Sequence, residues 1–228
     1  MTDAHCHCRT GADRHFVCEP FGGEAGEGDA RFLGVHPWAF LDGASPGDGW
    51  LERLRERLAA DPSAGVGEIG LDRLKERTVP DAMRAAFRAQ LALAAELRRP
   101  AVLHGAKCWG EVVKEVEGCS SGRTPAYIFH GFSRSAGLLP RIFALNGFVS
   151  VGPAVLNDHA VNYRELVKAI PADRLLAETD RTAPAETGPA VGEIVAAIAR
   201  LRGVPADALA AQLDANAAAL EGCFRRPA

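Results

Sequence analysis

The chain has 228 residues, 47% of them hydrophobic and 24% charged, with a formal charge of −3. This is enough for one large globular domain, and α/β barrels of this length are common. The sequence has no membrane-length apolar run, no signal-type N-terminal core and no global basic field, which argues against a membrane protein or a generally basic nucleic-acid binder.

Eight short β-prone runs recur along the chain: "TDAHC" (2–6), "HFVCE" (15–19), "RFLGV" (31–35), "GVGEI" (65–69), "AVLH" (101–104), "AYIFH" (126–130), "FVSVG" (148–152) and "RLLAET" (174–179). Helical spacing fills the later intervals. Met83, Phe87 and Leu91 step by four after Pro80, a good first-turn residue. Val191, Ile194, Val195, Ile198 and Leu201 form an amphipathic stripe that Gly203 ends. A last helix starts at Pro205 and buries Leu209, Leu213 and Leu220, with Asn216 on the same face to satisfy buried backbone groups. Strands alternating with helices predict a (β/α)8 barrel in one domain, residues 1–228. Residues 8–14 and 20–30 are too short and glycine-rich for full helices, so the first two units are expected to be reduced. Six irregularly spaced cysteines predict free thiols and a cytoplasmic setting, with no membrane or protein partner.

The ionisable residues fall at the strand ends. In an extended chain Asp3, His5 and His7 share one face and Cys6 and Cys8 the other, so two imidazoles one strand step apart can chelate one cation. Glu68 closes "GVGEI", His104 closes "AVLH", His130 closes "AYIFH" and Asp180 follows "RLLAET". The carboxyl ends of barrel strands open onto one face, so these six side chains converge there as a nitrogen and oxygen set suited to zinc, manganese, iron or magnesium. His36 ends a strand on the same face and is read as substrate-facing or supporting a ligand. Asp3 and Glu178 are read as acceptors for the outer nitrogens of the imidazoles. Cys6 and Cys8 are expected to be buried structural thiols, and His15 and His159 surface residues.

"DAHCH", "GVHPW", "GEIGLD", "AVLH", "FHGFS" and "LLAETD", in this order, resemble the TatD family of metal-dependent hydrolases, and "DANAAAL" resembles that family's closing helix. The resemblance implies a distorted TIM barrel of the amidohydrolase-like type and two divalent metal ions (Mg, Mn or Zn). It places His5, His7 and Asp180 on one metal and His104 and His130 on the other, with Glu68 bridging. It also implies deoxyribonuclease or phosphodiesterase activity on DNA or a small phosphoester. Two cations can clamp a phosphodiester and acidify a water, and Asp180 is the candidate general base.

The chain also departs from the family pattern. Where the family carries an arginine two residues after the strand-five histidine, this chain has Ala106 and then Lys107, a candidate anion partner. After Asp180 it has "RTAPAETGP" in place of an Asn-x-Pro element. It therefore resembles a compact subgroup. The alternatives are a metallohydrolase of a small amide, lactone or phosphoester, and a non-catalytic metal-binding scaffold.

Overall fold

Eight strands, all parallel, follow one another round a single sheet in sequence order, in a computed structural model that describes residues 1–19, 30–41, 43–119, 126–133 and 136–224. β1 (Thr2–Cys6), β2 (Arg14–Glu19) and β3 (Ala30–Leu33) come first, followed by α1 (Trp50–Ala60) and β4 (Gly65–Asp72). Then come α2 (Asp81–Leu97), β5 (Ala101–Ala106), α3 (Trp109–Cys119), β6 (Tyr127–Phe129), α4 (Leu139–Ala144) and β7 (Gly147–Val151). The chain ends with α5 (Val161–Ala169), β8 (Leu175–Ala177), α6 (Val191–Arg202) and α7 (Ala206–Phe224). The sheet closes just past β8: the Asp180 N–H donates to the His5 carbonyl at 3.0 Å and the His7 N–H to the Arg181 carbonyl at 2.8 Å. This is the (β/α)8 barrel that the strand spacing predicts. No helix separates β1 from β2, as expected; the second short connection, residues 20–29, lies outside the described residues. No helix among the described residues is long and apolar enough to cross a membrane.

Side-chain alternation builds the interior. Val102, Ile128, Phe148 and Leu176 pack together with Phe16, Phe32 and two residues of α7, Ala217 and Leu220. Their strand neighbours Leu103, Phe129, Val149 and Leu175 pack instead with the surrounding helices. The strand period is two, so the residues two steps beyond the inward set, His104, His130, Ser150 and Glu178, form the next inward layer toward the carboxyl ends. The fold's own periodicity thus stacks a polar layer on an apolar one.

α7 supports the opposite end. Asn216 Nδ2 donates to the carbonyls of Ala172 and Leu175 at 2.7 and 2.8 Å, the role expected of it, and Thr2 Oγ1 donates to Asp214 at 2.7 Å. In α2, Met83, Phe87 and Leu91 are buried, and α6 stops at Gly203, whose φ of 66° suits a residue without Cβ.

Three expectations need correction. His15 is fully buried, not on the surface, because β2 is covered on both sides; the Thr10 N–H donates to its Nε2 at 3.1 Å. His159 is exposed as expected. Cys6 is buried, but Cys8 lies past the end of β1 and is only half-buried. β4 runs on to Asp72, so Glu68 stands inside the strand and does not close it: the chain beyond Glu68 keeps pairing with β5 as far as Asp72 opposite Ala106.

The α2–α3 contact carries a pH-dependent element. Glu115 is buried, receives Arg84 at 2.7 Å and Arg88 at 2.6 Å, and the Arg88 bond is the main cause of its lowered pKa. A carboxyl whose folded pKa is depressed contributes stability above its unfolded value, near 4.5, and loses it as pH falls through the folded value. Denaturant melts should therefore show wild type more stable than Glu115→Gln at neutral pH, with the gap closing below about pH 4. A gap that widened on acidification would contradict this pairing.

Candidate metal centre

Glu68 organises the site. Gly67 and Gly70 hold its strand against β5: a Cβ on Gly67 would come within 2.8 Å of the Val102 Cβ, and one on Gly70 would strike the His104 carbonyl. The Glu68 side chain is buried and its two oxygens face different histidines. Oε2 lies 3.6 Å from His5 Nε2 and 3.3 Å from His7 Nε2, while Oε1 lies 2.6 Å from both His104 Nδ1 and His130 Nε2. Asp180 Oδ1 joins the first group, 3.4 Å from His5 Nε2 and 3.8 Å from His7 Nε2. The His5 and His130 rings stack between the groups with centroids 4.0 Å apart. All six predicted side chains therefore meet in one place.

The outward nitrogens of His5, His7 and His104 have polar partners, while His130 Nδ1 is buried without a hydrogen bond. His7 Nδ1 donates to the Cys18 carbonyl at 2.9 Å, and His5 Nδ1 lies 3.4 Å from the Cys18 thiol. His104 Nε2 donates to Asp72 Oδ2 at 3.0 Å, leaving the Nδ1 lone pair for the centre. His130 Nδ1 lies 3.6 Å from Glu178 Oε1, and the other oxygen of Glu178 accepts from Ser150 Oγ. Such partners fix the ring and the tautomer of a ligating histidine. Glu178 faces the outer nitrogen of His130, at a distance too long for a hydrogen bond. Asp3 does not stand where the sequence reading put it: its register with β2 slips before Cys6, and its carboxylate accepts from the Thr179 N–H (2.9 Å) and hydroxyl (2.7 Å) and from Thr10. It braces the turn into Asp180 and does not orient an imidazole.

His36 plays a different part. Its Nδ1 accepts the Trp38 N–H at 3.2 Å, and burial brings its pKa down to about 4, so near neutrality the ring is uncharged with its proton on Nε2. That nitrogen is 3.8 Å from Glu68 Oε1, the residue lines the cavity, and His36, Glu68 and His104 form one of the groups able to hold a metal ion. Lys107 is exposed, with φ of 58°, and is not among the residues lining the cavity.

Electrostatics keep the carboxylates charged. Burial works to raise the pKa of Glu68, but His130 and His104 outweigh it and hold the group well below the usual range. Burial works on Asp180 in the same sense and His5 overcomes it, leaving the pKa lowered. Asp72 falls to about 2 because bonds from His104, the Leu74 N–H and the Trp38 indole outweigh its burial. Sequence reading missed Asp72. The available signal was period two, which puts Glu68, Gly70 and Asp72 of "GEIGLD" on one face.

The donors around Glu68 Oε2 fit a divalent cation, whereas the 2.6 Å separations around Oε1 are those of hydrogen bonds. Ligands 2.0–2.2 Å from one ion lie about 3–3.6 Å from one another, the range found around Glu68 Oε2. His5 Nε2, moreover, is buried with no hydrogen-bond partner, a cost that a cation would remove. His7, Glu68, His104, His130 and Asp180 open into a cavity of about 670 Å³, with His5 buried behind them.

A family model described as TatD related DNase matches residues 26–222. The chain belongs to the TatD family of metal-dependent hydrolases. A TatD relative from Klebsiella pneumoniae, named a 3′-5′ ssDNA/RNA exonuclease, is 34% identical over 206 residues, covering 83% of this chain and 75% of the relative. A Bacillus subtilis relative, YabD, named an uncharacterized metal-dependent hydrolase, is 31% identical over 148 residues, covering 65% of this chain and 56% of the relative. Among solved structures, the TatD homologue YJJV of Escherichia coli superposes with a TM-score of 0.81 at 24% identity, covering 99% of this chain and 98% of that one. An organophosphorus hydrolase from Deinococcus radiodurans shares the barrel at a TM-score of 0.60 and 15% identity, covering 91% and 78%. These likenesses bear out the TIM-barrel fold that the TatD motifs implied.

Proposed function

We propose that this TatD-family hydrolase removes nucleotides from the 3′ end of single-stranded nucleic acid, using two divalent cations (Mg, Mn or Zn) in one catalytic domain spanning residues 1–228. The observation that carries the reading is the split of Glu68, whose two carboxylate oxygens each face a separate pair of histidines. His5, His7 and Asp180 would hold one cation and His104 and His130 the other, with Glu68 between them. Such a pair supplies charge for the phosphoryl oxygens and makes a water acidic enough to ionise near pH 7. Asp180, half exposed to the cavity and ionised, takes the proton of the attacking water. His36 directs its Nε2–H toward the substrate's phosphoryl oxygens. Asp72 and the Cys18 carbonyl hold His104 and His7 in the tautomers that leave their lone pairs inward.

A substrate screen on the metal-supplemented protein tests this. A 5′-labelled single-stranded oligonucleotide should shorten from its 3′ end, with slower release from bis-p-nitrophenyl phosphate and negligible release from p-nitrophenyl acetate. Preference for the acetate, or no shortening with magnesium, manganese or zinc, would favour the carbonyl-hydrolase alternative.

A further inference from the structure

Beyond the ligand groups, the cavity is lined by two exposed apolar side chains, Trp38 (43% exposed) and Leu74 (54%). Trp38 is nevertheless firmly held. Its indole N–H donates to Asp72 Oδ2 at 2.7 Å, its backbone N–H donates to His36, and the two rings meet edge-on at 5.0 Å. A large aromatic fixed in orientation while open to solvent is a preformed surface for a planar ligand. The exposed side chain of Lys75 places its ammonium 3.9 Å from the centre of the Trp38 ring. The occupied face is electron-rich, and a lysine tether is long enough to yield it to a base and still reach the adjoining phosphate. An aromatic face combined with a mobile cation is how single strands are bound without regard to sequence.

Building on the nuclease reading above, we propose that Trp38, with Leu74, is the platform on which the terminal base of a single strand stacks, and that Lys75 leaves the indole to pair with the neighbouring phosphate. A base inside a duplex has both faces covered, so this platform selects unpaired ends. It makes turnover depend on the presence of a base and little on its identity.

The test compares an oligonucleotide with a normal 3′ residue against one whose 3′ residue is abasic, in metal-supplemented protein. Wild type should favour the normal end by about tenfold or more in kcat/KM. Trp38→Leu should bring that ratio to within about twofold of unity whatever its absolute rate, and Trp38→Phe, which loses the bond to Asp72 but keeps a ring, should retain most of it. If Trp38→Leu turns over too slowly, the same ratio is read from equilibrium binding by fluorescence anisotropy. A wild-type ratio near one, or a full ratio in Trp38→Leu, overturns the platform and leaves the nuclease reading standing; no shortening of either oligonucleotide overturns both. Lys75→Met should keep the ratio but lower the slope of log affinity against log salt by roughly 0.7, one phosphate's worth, and an unchanged slope would remove Lys75 from the binding of substrate.

Discussion

Asp180→Asn should lower kcat on single-stranded DNA by about 10²- to 10⁴-fold, the usual contribution of a positioned general base, while the melting temperature barely moves. The reason lies in two properties of one residue. Asp180 occupies the left-handed region with φ of 53°, where asparagine is at least as comfortable as aspartate, so the backbone has no cause to rearrange. Its N–H bond to the His5 carbonyl, which helps to close the barrel, is also untouched by the change. The carboxylate charge, however, is lost, and with it both the proton acceptor and part of the balance for a cation beside His5 and His7. Thermal melts alongside single-turnover rates separate the two effects. A folded variant with near-normal kcat would remove Asp180 from the chemistry.

Glu68→Gln should be as damaging through a different route. Both oxygens of Glu68 are in use, one toward His5 and His7 and the other toward His104 and His130. An amide keeps one acceptor and turns N–H donors toward the other imidazole pair, which repels a cation there. Elemental analysis should find at most about one divalent ion per chain, and kcat/KM should fall by at least about 10³-fold, with occupancy the primary loss. Full occupancy with low activity would instead make Glu68 a proton carrier.

The barrel and most of its centre were legible because strand periodicity is a short-range signal. His104 and His130 end apolar runs whose inward residues, Val102 and Ile128, lie two positions earlier, so their direction follows from the pleat. Glu68 was recognised but misplaced, since hydrophobicity fades after Ile69 while backbone pairing with β5 continues to Asp72. The same error hid Asp72 and its bonds to His104 and Trp38, which join segments far apart in sequence. Asp3 was misassigned by assuming unbroken alternation along β1, where the register slips. His15 looked like a surface residue because a strand covered on both sides gives no polar alternation to betray a buried imidazole. Cys18, which meets one histidine through its thiol and another through its carbonyl, left no trace that sequence alone could offer.

The central claim, that two cations held around Glu68 carry out the hydrolysis, is tested most directly by measuring metal content and 3′-end hydrolysis on the same chelator-stripped sample as manganese is added back. Activity should be absent in the stripped protein, rise with occupancy and level off at about two equivalents per chain. Turnover in the stripped protein, or a plateau of both activity and occupancy at one equivalent, would contradict the account.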